Sequence, residues 1–297
     1  MTAGTAMGGM GAGTARDGLR ADQGPPAELR FRRRIRVGRA LRELWRAREL
    51  VLVLAERELR ARYKQAVLGA AWALLTPLAL MVVFTLFVAR LARVDTGGTS
   101  YPLFAYLGLL PWTFFSTSVS VGGQSLIVNA NLLNKVYCPR EVFPLSSVAV
   151  AATDVAVAST VLAVLFAVEG VVPAAASLWV PLLAAIQLAF TVGAVLLVSA
   201  VLVYLRDLRH ALPILLQLGL LATPVAYGIE VVPARFRLAY AVLNPLGPLI
   251  DGYRRTVLLG LPPRWGLVAA AAASAGLTLV VGFLVFKRLE TGFADVA

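Results

Sequence analysis

Asp154 lies inside the apolar run VFPLSSVAVAATDVAVASTVLAVLFAV, and Glu169 follows at its end. An ionisable side chain at membrane depth is costly and marks a functional candidate, here a proton relay or an ion-coupled carrier. One carboxylate makes a thin relay, so the preferred reading is a packing residue bonded to nearby Ser or Thr hydroxyls. Aromatic residues form a second candidate group: Phe84, Phe87, Tyr101, Phe104, Tyr106, Trp112, Phe114 and Phe115 cluster toward one end of two apolar runs. They read either as an interfacial belt or as a stacking surface for sugar rings. In the second case Phe84, Phe104, Tyr106, Trp112, Phe115 and Asp154 line a translocation path, and Pro111 bends its outer end.

Other chemistries are excluded. No G-x-x-x-x-G-K-[ST] phosphate loop occurs, so the chain binds no nucleotide in that manner. A single cysteine, Cys138, rules out an intramolecular disulfide, a zinc cluster or a CxxC pair. Energy for uphill transport must come from a gradient or from another subunit, and the internal repeats that gradient-driven carriers tend to show are absent.

The elements that position these residues are membrane spans. The chain is 59% hydrophobic and 15% charged over 297 residues, with apolar residues in blocks long enough to cross a bilayer. Six spans are expected, near 66–89, 103–128, 142–168, 178–205, 211–227 and 265–286. Fifteen of the 28 basic residues lie in residues 1–64, and 21 fall on the side that holds both termini, which places the termini in the cytosol. That location assigns the net charge of +12 to anionic lipid and not to nucleic acid. No signal peptide is expected, and residues 1–40 read as a disordered basic cytosolic arm.

Residues 41–65 read as an amphipathic interface helix, with Arg57, Arg60, Arg62 and Lys64 interleaved with Leu50, Val53, Leu54, Leu59 and Tyr63. Residues 66–297 form the six-span domain. Leu238–Leu261 is apolar enough to suggest a seventh span, but Asp251, Arg254 and Arg255 each cost about 2.5 to 3.5 kcal/mol near a helix centre. With Asn244-Pro245 and Gly247-Pro248 inside it, the segment reads as a re-entrant or interfacial pair of short helices on the outer side. The polar link Asn129–Glu141 joins two spans on the cytosolic side, where something outside the membrane could push on it.

Seven segments in order resemble a known family: ELWRARELVLVLAERELRARYKQAVLGAAWALLTPL, YPLFAYLGLLPWTFF, NANLLNKVYCPREVFPLSS, YLRDLRHALP, TPVAYGI, LNPLGPLIDGYRRTVLLG and RLETGFADV. Over residues 41–297 the chain resembles the transmembrane subunit of an ABC-2 type exporter, of the branch exporting O-antigen, teichoic acid and related polysaccharides. The resemblance implies an all-α integral membrane protein with the ABC-2 permease fold. It implies an interface helix carrying Arg57, Arg60, Tyr63 and Lys64, and a coupling helix that docks on an ATPase subunit through Asn131, Leu132, Leu133, Lys135, Val136, Pro139, Arg140 and Glu141. A second cytosolic contact falls at Arg206, Asp207 and His210, and outer gate helices at 233–260 include Asn244, Pro245, Tyr253 and Arg254. The permease would bind no cofactor itself, using ATP and Mg through the ATPase partner. It would pair with a second copy of itself in the bacterial plasma membrane and move a lipid-linked glycan. The alternatives are an ABC-2 exporter of drugs or small lipids, a proton-coupled carrier, and a membrane scaffold for glycan-synthesis enzymes.

Overall fold

The computed structural model describes residues 37–64, 71–88, 96–133, 138–205, 207–290 and 293. The first helices are α1 (Val37–Arg46) and α2 (Arg48–Tyr63), broken at Ala47. Next come α3 (Ala71–Val83), extended by a π turn at Phe84–Val88, and α4 (Tyr101–Val128). After the short α5 (Ala130–Leu133) follow α6 (Val142–Glu169), a 3-10 turn at Ala175–Trp179 and α7 (Val180–Tyr204). The remaining helices are α8 (Leu208–Ala222), α9 (Arg237–Leu243), α10 (Leu246–Val257) and α11 (Trp265–Leu289). Among the described residues there is no strand.

Local sequence fixes several helix ends. Pro102 occupies the first turn of α4, where its missing N–H costs nothing. Gly170 closes α6 at φ 65°, a left-handed cap that a side chain would strain, and its N–H returns to Phe166 O.

Among the described residues, five helical stretches are long and apolar enough to cross a membrane: 71–88, 101–128, 142–169, 175–204 and 265–289. They coincide with five of the six expected spans. The remaining one, expected at 211–227, is the 15-residue α8, about 22 Å long at 1.5 Å per residue and shorter than a hydrocarbon core of about 30 Å. The chain leaves α8 at Thr223 and turns through 3-10 segments at Ile229–Val231 and Ala234–Phe236. The helix expected over 41–65 is two helices beginning at Val37, so helix already occupies the last four residues of the arm expected to end at 40.

α4 is the central helix, buried along most of 103–112. α6 and α11 instead leave Val164, Val168, Leu277, Val280 and Val281 exposed, an apolar perimeter suited to lipid. α7 and α11 cross at glycines: a Cβ on Gly282 would stand 2.2 Å from Gly193 O, and one on Gly193 would stand 2.5 Å from Leu279 N. Backbones this close are how small residues join membrane helices. One core cluster, at one end of the bundle, holds Leu107, Leu183, Leu249, Tyr253 and Val268. Another holds Leu126, Phe143, Leu196, Val203, Phe286 and Phe293.

Candidate functional site

Asp154 does not bond to Ser or Thr hydroxyls as expected. Its carboxylate accepts from Arg62 Nη1 at 2.8 Å and from Tyr63 Oη at 2.5 Å, both on α2. Glu58 completes the cluster, 3.2 Å from Arg62 and accepting from Ser147 Oγ of α6 at 3.2 Å. These contacts run parallel along both helices, so α2 packs lengthwise on α6. A charge at depth needs an opposite charge beside it, and Arg62 supplies it. A cavity of about 310 Å³ opens next to this cluster, lined among others by Tyr63, Trp72, Thr76, Thr113, Thr117 and Asp154. Arg57, Arg60 and Lys64 lie on the exposed side of α2, with Arg60 paired to Glu56.

The expected path aromatics are largely packed inside the single chain. Tyr106 is fully buried and donates to Ala158 O at 2.8 Å. Trp112 is buried, Phe84 packs against its cluster, and Phe115 stacks on Phe190 at 5.2 Å. Phe104 lies beneath Arg254, its ring centroid 3.6 Å from Cζ.

Arg254, on α10, is the most heavily bonded side chain among the described residues. It is 4% exposed, yet Nε donates to Phe104 O at 3.1 Å, Nη1 to Pro224 O at 2.8 Å and Tyr227 O at 2.9 Å, and Nη2 to Val225 O. A planar five-donor fork is what lets one side chain gather carbonyls from α4 and from the turn after α8. Gly108 makes room, since a Cβ there would stand 2.3 Å from Nη2. Its neighbour Tyr253 donates to Gln187 Oε1 at 2.9 Å, and Gln187 donates to Pro111 O at 2.8 Å, joining α10, α7 and α4. The expected pair of short helices is present, broken at Asn244-Pro245, where Asn244 Nδ2 donates to Thr223 Oγ1 at 2.8 Å. Arg264 fastens the same region, 2.5 Å from Glu230 and 3.7 Å from Asp251. Burial pushes the Glu230 carboxyl upward, but the Arg264 hydrogen bond and charge outweigh it and leave Glu230 below its usual range.

In the link between α4 and α6, Asn131 is exposed and Leu132 half-buried, while Pro139, Arg140 and Glu141 lead into α6. Only the backbone of Leu133 is described, and Lys135, Val136 and Arg206 lie outside the described residues, as does most of the arm. Asp207 and His210 are exposed at the start of α8. Glu141 is buried and paired with Lys287 Nζ of α11 at 2.5 Å, while its Oε2 has no hydrogen-bond partner. Burial drives its carboxyl up, against the pull of Lys287.

The residues that sequence reasoning missed are Glu58, Gln187, Glu230, Arg264, Lys287 and Phe293. The usable signal was the rule that buried charges are paired, which demands partners for Asp154 and Glu141 without naming them.

Residues 49–258 match the family described as ABC-2 type transporter. An O-antigen export system permease protein RfbA of Myxococcus xanthus is 33% identical over 259 residues, covering 86% of this chain and 98% of the relative. A protein of the same description from Klebsiella pneumoniae is 27% identical over 249 residues, covering 84% and 95%.

Proposed function

This chain belongs to the ABC-2 type transporter family, and on that premise we propose that it is the membrane permease of an ATP-driven exporter of a lipid-linked cell-surface polysaccharide. The observation that carries the cargo class is the end-to-end likeness to an O-antigen export permease, which covers 98% of that relative. In this reading ATP and Mg are held by a separate ATPase subunit, two copies of the permease pair about a two-fold axis, and both termini face the cytosol. α8 serves as a short sixth span, and α9 and α10 form the outer gate.

The geometry supports a mechanical division of labour. ATP binding closes the ATPase subunits and moves the link between α4 and α6, the contact made by residues 131–141 together with the start of α8. Because α2 is ion-paired to α6 through Arg62 and Asp154, the interface helix follows α6. At the far end Arg254 ties α10 to α4 and to the turn after α8, so tilting of α4 reaches the gate as a rigid-body movement. Asp154 acts here as the counter-charge of Arg62, with no proton relay required.

The test is genetic. Loss of the chain should leave polymer inside the cell and none on the surface, with export restored by the wild-type chain but not by Leu133→Asp. Export should survive collapse of the proton gradient when ATP is maintained. Export that fails on gradient collapse alone would replace this reading with the proton-coupled one.

A further inference from the structure

Phe293 lies beyond the end of α11 and is nevertheless 1% exposed. Burial this deep outside the preceding helix means that the ring is packed on several sides. Its ring packs edge-on to Phe286 at 5.5 Å and tilted against Tyr204 at 6.1 Å, in the cluster with Leu126, Phe143, Leu196 and Val203. Tyr204 Oη donates to Leu289 O at 2.9 Å, tying the end of α7 to the same segment.

The link between α4 and α6 is fastened to this segment by charge. Lys287 Nζ stands 2.5 Å from Glu141 and 2.9 Å from Glu290. Arg140 donates from Nη1 to Glu290 O and lies with Cζ 5.7 Å from the Phe293 ring centroid. Lys287 therefore bridges two carboxylates, while Arg140 is held by a backbone carbonyl and an aromatic face, so the link meets this segment through several linked contacts. Leu132 and Cys138, both within the link, and Leu54 of α2 pack against the same cluster.

We propose that Lys287, Glu290 and Phe293 form a clasp that positions the link ahead of α6 for docking, with Lys287 and Phe293 as positioning residues for transport. The proposal rests on reading that link as the ATPase contact. Its consequence is mechanical: a push on the link reaches the ends of α7 and α11 as well as α4 and α6, so four helix ends move together.

The single thiol, Cys138, reports on the clasp directly. Its reaction with N-ethylmaleimide is followed in membrane vesicles, beside surface polymer in cells carrying the same variants at matched membrane levels. Phe293→Ala and Lys287→Met should each speed labelling on the order of tenfold by freeing the loop and should lower export, while Lys287→Arg keeps both near wild type. If Phe293→Ala does not accumulate, Lys287→Met carries the test. Unchanged labelling in the variants overturns the clasp, and faster labelling with wild-type export overturns its positioning role. The labelling arm needs neither ATPase nor polymer, so its failure is distinct from failure of the export reading. Should loss of the whole chain leave export intact, the functional reading falls and the positioning role falls with it.

Discussion

Arg254 and Gly108 offer the sharpest energetic test, because the structure gives both the bonds at stake and the space they need. Arg254→Lys replaces a planar fork by one ammonium, which cannot meet Phe104 O, Pro224 O, Val225 O and Tyr227 O together. A hydrogen bond to a charged group is worth about 1.5 to 3 kcal/mol, so losing two of the four costs about 3 to 6 kcal/mol. Gly108→Ala drives a methyl to 2.3 Å from Nη2 and 2.9 Å from Val225 O, displacing the same guanidinium. Overpacking of this kind costs about 1 to 3 kcal/mol. In the Arg254→Lys background the first clash disappears and the second remains, so the double variant should be more stable than the sum of the single losses by about 1 to 2 kcal/mol. Helicity followed through a detergent titration from mild micelles into dodecyl sulfate, for the four proteins of the cycle, measures this coupling. Losses that add to within about 0.5 kcal/mol would refute the account of Arg254 as the shared anchor.

Asp154→Asn removes the counter-charge of Arg62 and should loosen α2 from α6 by about 1 to 3 kcal/mol, the pair being partly buried; trypsin cleavage after Arg62 should accelerate, and an unchanged rate would show that the pair does not hold α2. Gly282→Val should cost at least about 3 kcal/mol because a backbone carbonyl has no rotamer with which to escape, whereas Gly276→Ala, whose Cβ meets nothing within 4 Å, should be neutral or stabilising by about 0.5 to 1 kcal/mol. Detergent unfolding midpoints of the two variants decide this. Burial pushes the Cys138 thiol up, with Arg140 opposing, and maleimide reacts with thiolate, so the rate should still be climbing with pH through the ordinary thiol range and level off only above it. Phe293→Ala should move that profile to lower pH, and a wild-type profile already in the ordinary range would contradict the packing of Cys138.

Apolar runs made five spans legible because a span is defined by its own composition. Asn244-Pro245 and the charges after it made the break between α9 and α10 legible for the same local reason. The end of α8 was marked locally by Pro224, which has no N–H to continue a helix and holds Thr223 in extended backbone at ψ 139°, whereas the apolar composition of the run reads straight through it; what sequence does not show is that Arg254 takes the carbonyls left free there. Nor does it show the partners of Asp154, because Arg62 lies 92 residues away in sequence and only packing of α2 along α6 brings them together. Lys287 reads in sequence as a topological charge at the end of a span, and its role as partner of Glu141 depends on the fold. The aromatic residues of α4 carry no local mark that separates a packed ring from a path-lining one.

Whether this permease works with a separate ATPase is decided by purifying the tagged chain from its native membranes in mild detergent, identifying what comes with it and assaying ATP hydrolysis. A subunit with a nucleotide-binding phosphate loop should accompany the permease at a near equal ratio, with hydrolysis lost from the eluate of Leu133→Asp. Recovery of the permease in good yield with no ATP-hydrolysing partner would contradict this pairing.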